Sequence, residues 1–89
     1  MNELQVLELQ MEQLSNEISE MRKQRDDLSR KFRRRMRVVF DSGEYDAKNG
    51  DYEARLLKSQ LVKLSKQIEA KGWALKALGE QHENLTVNN

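Results

Sequence analysis

The chain has 89 residues, a net charge of +1, no cysteine and no proline. A length of this order supports one small domain with too little buried surface for a deep substrate cleft, and the lack of cysteine removes disulfides, thiolate metal sites and thiol nucleophiles. Charged residues make up 35% and aromatics only 6%, which suits either long helices or disorder, so periodicity has to separate the two.

The first periodic segment begins at Leu4. In heptads written a to g, Leu4, Met11, Ile18, Arg25, Phe32 and Val39 fall at a, and Leu7, Leu14, Met21, Leu28 and Arg35 at d. All but the two arginines are apolar, which is the seam of a coiled coil and predicts a helix over about residues 3–40.

The pattern breaks over residues 41–51, where Gly43, Asn49 and Gly50 suit turn conformations and Asp51 is placed to cap a new helix. Asp41, Glu44 and Asp46 give this connection an acidic tip. Their spacing, with Asp51 and Glu53, does not match a calcium-binding EF-hand loop, so the expectation is a solvated acidic turn with no metal.

The second segment is predicted to be helical over about 51–85, with a frayed tail at 86–89. Ala54, Leu61, Ile68, Leu75 and His82 fall at a, and Leu57, Leu64, Lys71, Leu78 and Leu85 at d. Folding the chain back at the connection opposes residues whose numbers sum to 89, from Leu4/Leu85 through Leu14/Leu75, Ile18/Lys71 and Arg25/Leu64 to Arg35/Ala54. No layer sets polar against polar. In a parallel self-pairing Arg25 would meet Arg25 and Arg35 would meet Arg35, a burial of like charge that the antiparallel hairpin avoids. The predicted class is all-α, a single antiparallel two-helix coiled-coil hairpin that dimerises into a four-helix assembly.

The acidic pair Asp41 and Glu44, followed by a helix as far as Lys66-Gln-Ile-Glu69, loosely resembles in architecture the coiled-coil tips of bacterial transcript-cleavage factors. The resemblance spans about a third of the chain, omits the second globular domain of those factors, and implies no membership.

Charge is sorted along the rod. Residues 1–20 carry five Glu and no Lys or Arg, whereas 22–37 carry nine basic residues against Asp26 and Asp27. Arg30, Lys31, Arg33, Arg34 and Arg37, joined from the second helix by Arg55 and Lys58, form a basic belt near the loop. Such a belt attracts an acidic protein surface or, in the alternative, the phosphates of a nucleic acid bound without sequence preference. Five apolar residues lie off the seam: Trp73 at f, with Ala70 and Ala77 at i−3 and i+4, and Val6 and Leu9 on the first helix. Trp is strongly enriched at binding hot spots, so these five are the candidate partner-binding residues.

Catalytic chemistry is not apparent. His82 faces Leu7 on the seam, no Gly-rich phosphate loop occurs, and no serine has a histidine at helical spacing. The expectation is a non-enzymatic interaction protein without cofactors, cytoplasmic and without a membrane span, since no apolar run nears the roughly 20 residues that a span requires. Its scale is that of bacterial or phage adaptors, secretion-type chaperones and inhibitors. A homodimer is expected, with the acidic stretch from Glu3 to Glu20 of one chain beside Arg22 to Arg37 of the other.

Overall fold

A computed structural model describes residues 2–43 and 50–87. Helix α1 spans Glu3–Ser42 and helix α2 spans Tyr52–Val87. The two pack against each other along their length to form a rod of 65 × 19 × 15 Å. The architecture is the helical hairpin, and among the described residues no helix is long and apolar enough to cross a membrane.

Both helices begin on side-chain caps. The Asn2 side chain accepts from the Gln5 backbone N–H at 2.8 Å, while the Gln5 side chain accepts from the Asn2 N–H at 3.1 Å, a reciprocal capping box. Asp51 caps α2, its Oδ2 accepting the Ala54 N–H at 2.9 Å. Gly43 closes α1 in the left-handed region at φ +70°, donating its N–H to the Phe40 carbonyl at 3.2 Å. Gly50, also at +70°, turns the chain into the α2 cap. A side chain at either position would be strained by the backbone alone.

Each helix runs two residues beyond its expected end. The stop signal of α1 is Gly43, so Asp41 and Ser42 remain helical. Thr86 and Val87 continue α2 where a frayed tail was expected, and the Thr86 hydroxyl donates to the His82 carbonyl at 2.8 Å. Of the expected acidic tip, Asp41 therefore belongs to the last turn of α1, and Glu44 and Asp46 lie outside the described residues.

Burial follows the heptads. All twenty-one seam positions are buried or half-buried, and elsewhere in the two helices Ser29, Met36 and Gly79, all at position e, are half-buried while the rest are exposed. The fully buried residues are Ile18, Val39, Ala54 and Ile68. Each isoleucine contributes roughly 1.5–3 kcal/mol by leaving water. All four are a residues, and every d residue is only half-buried. The seam is thus better covered on its a/e edge, where Ser29, Met36 and Gly79 are half-buried as well, than on its d/g edge.

Candidate protein-interaction surface

Three of the four polar seam residues, Arg35, Lys71 and His82, are met by carboxylates of the opposite arm or the cap. Arg35 is clamped by Asp51, with Nε to Oδ2 at 2.9 Å and Nη2 to Oδ1 at 2.8 Å, and its Nε also lies 3.2 Å from Glu53 Oε2. The fork geometry of guanidinium and carboxylate permits this bidentate contact. The Arg35 hydrogen bonds, aided by the Ala54 N–H and the charge of Arg35, lower the Asp51 carboxyl from 3.8 to about 2. Lys71 Nζ reaches Glu17 Oε2 at 2.8 Å, and His82 Nε2 lies 3.1 Å from Glu8 Oε1. His82 thus finds a carboxylate beside its seam position, on the residue next to the Leu7 that faces it. Among the described residues no group of three His, Asp or Glu is arranged to hold a metal.

The expected basic belt divides into two faces. Arg30, Arg33, Arg34 and Arg37, at i, i+3, i+4 and i+7, line one shallow groove on the outward side of α1. Arg30 pairs with Asp27, whereas Arg33, Arg34 and Arg37 have no carboxylate within 4.0 Å among the described residues. On α2, Arg55 and Lys58 line a second groove with Ser59, Val62, Lys63 and Lys66. Lys31 belongs to neither face; it sits with Arg34, Val38, Glu53 and Leu57 in a cleft between the helices.

The five off-seam apolar residues stay apart as well. Trp73 is 63% exposed on the outer face of α2, between Ala70 and Ala77, and the Lys76 amine lies 5.2 Å from its ring centroid. That cation–π contact leaves most of the ring bare. Val6 lies with Leu7 and Leu85 in a groove at the open end, and Leu9 is exposed on the outer face of α1.

Six further large apolar residues are exposed off the seam, Val38, Phe40, Tyr52, Leu56, Val62 and Val87, none of them among the sequence-based candidates. The signal that identifies Trp73, an apolar residue off the seam, also applies to them. Phe40, 59% exposed, stands at i+3 from Arg37 and i+7 from Arg33, so the arginine face runs directly into an aromatic ring.

No protein family, curated protein or solved structure matches this chain.

Proposed function

We propose that the hairpin is a protein-interaction module, an adaptor, secretion-type chaperone or inhibitor that binds an acidic surface of another protein through the outward face of α1. The observation that carries this reading is the row Arg30, Arg33, Arg34 and Arg37 ending on exposed Phe40. Three of its guanidinium groups have no carboxylate among the described residues. Arginine and aromatic side chains together are the composition of interface hot spots, and a face of unsatisfied guanidinium groups is complementary to carboxylates in fork geometry. Trp73 and its flanking alanines supply a second, apolar contact on the opposite helix. The working unit in this reading is a cytoplasmic homodimer with no catalytic role.

A second reading, non-specific nucleic-acid binding, draws on the same arginines, which are spaced to follow a phosphate backbone. One stacking ring beside four arginines is a poor platform for single strands, and that favours protein.

The test is capture from native cell extract, with and without nuclease, by wild type and by the triple variant Arg33→Ala/Arg34→Ala/Arg37→Ala. The protein reading expects a nuclease-resistant partner that the triple variant fails to retain. Capture abolished by nuclease, with retention on DNA that falls steeply with salt, would establish the nucleic-acid reading instead.

A further inference from the structure

The two edges of the seam differ in how they are finished, and the difference points outward. The a/e edge holds all four buried residues, Ile18, Val39, Ala54 and Ile68, while the other seven a residues are half-buried. On the d/g edge every d residue stays half-exposed, and exposed Val6, Val38 and Leu56 extend the apolar surface at positions c and g. Clefts open at both ends of this edge. The one near the loop is lined by Lys31, Arg34, Val38 and Leu57, and the one at the open end by Glu3, Val6, Leu7 and Leu85. The first also holds Arg35 with its partner Glu53, which leaves Lys31 and Arg34 as its excess positive charge, and the second carries one negative charge, Glu3, beside Gln81 and Asn84. The rod also exposes 7026 Å², against about 5,400 Å² for a compact monomer of its mass.

We infer that the d/g edge docks a second copy of this chain in antiparallel orientation, the two-fold axis crossing the rod between residues 20 and 21 of α1 and between residues 68 and 69 of α2. This inference gives the contact face of the homodimer assumed in the functional reading. A two-fold axis there lays α1 on α1 and α2 on α2, and residues at equal distances from the axis then meet. On α1, Glu3 comes to Val38 at the mouth of the basic cleft and Gln10 to Lys31, with Val6 beside Arg34 one residue off register. On α2 the long residues Gln60, Lys63 and Gln67 meet Ala77, Ala74 and Ala70, so large faces small three times in succession. Opposite charge at the two ends selects the antiparallel orientation, since a parallel stack would set acid on acid and base on base. On α1 the like-charge meeting nearest the axis is Glu20 with its own copy, one residue off register, at c on the rim. Phe40 at b and Trp73 at f are exposed and lie outside the contact.

Sedimentation equilibrium of the full chain at ~100 μM separates the alternatives, because mass action makes dimer content a direct readout of affinity. Val38 is 57% exposed and Phe40 59%, so a charge at either is tolerated by the hairpin, and unchanged helical circular dichroism confirms this. Wild type is expected to be dimeric. Val38→Glu, placed beside Glu3 of the other copy, weakens the dimer by at least about tenfold, Val38→Lys by less, and Glu20→Gln tightens it. Phe40→Glu leaves the dimer intact. A monomeric wild type overturns both the homodimer and the face. A dimer that Phe40→Glu disrupts as much as Val38→Glu overturns the face alone, and capture through Arg33 and Arg37, which lie outside the contact, is tested separately.

Discussion

Arg25 and Arg35 occupy the same stripe of α1, each facing an apolar residue of α2, yet the seam treats them differently. Arg35 faces Ala54, which is fully buried and small enough to let the guanidinium pass over it to Asp51 and Glu53. Arg25 faces Leu64 and finds Asp26 of its own helix at 4.0 Å, so the two arginine side chains, 39% and 35% exposed, differ in their partners and not in their burial. The residue opposite and the carboxylates within reach decide whether a charge in a seam is tolerated or used. Near the loop it is used: Asp51 caps α2 and binds α1 with the same carboxyl group, so starting the second helix and closing the hairpin are coupled.

The apolar layers set the scale for that contrast. Ile68→Ala should cost ~2–5 kcal/mol in chemical denaturation, the range for emptying a buried site. Arg35→Leu should rank next, lowering the melting temperature by several degrees, since it strips the cap residue and Glu53 of their cation. The same layer predicts a pH dependence with a definite sign. The folded Asp51 carboxyl titrates at about 2, below its ordinary 3.8, so its stabilisation is complete above about pH 4 and is lost as pH falls toward 2. Asp51→Asn should flatten the acid limb of the stability profile between those values, and an acid limb unchanged by this substitution would remove Asp51 from its role as clamp.

Arg25→Leu should be neutral or mildly stabilising, because an apolar residue replaces a charge that has one distant partner. A loss comparable to that of Arg35→Leu would erase the distinction between the two layers. Glu17→Gln, which breaks an exposed pair with Lys71, should change stability by ~1 kcal/mol or less, with an effect that fades as salt rises.

The fold was readable because burial in a two-helix rod is periodic and nothing else competes with it. Once Leu4 and Ala54 set the heptads, every half-buried seam residue follows, and Gly43 and Gly50 mark the turn. The roles of the charged seam residues were not readable in the same way. Arg25 and Arg35 look alike in the heptad pattern, and what separates them is the size of the facing residue and the placing of Asp51 and Glu53 across a connection whose path the pattern does not describe. The contact of His82 with Glu8 is hidden for a related reason: opposition to Leu7 does not describe Glu8, which reaches it from the next position. Trp73 was correctly placed off the seam and is exposed, whereas Phe40 and Val38 escaped notice because they end the arginine row and appear to continue the seam around Val39.

The central claim is the antiparallel hairpin itself, with Leu14 facing Leu75 within one chain. Cysteines at these two positions, oxidised at low protein concentration, should form an intramolecular disulfide rapidly and leave the chain monomeric in mass on a non-reducing gel. Crosslinks found exclusively between chains would contradict the account and replace the hairpin with an exchanged or extended dimer.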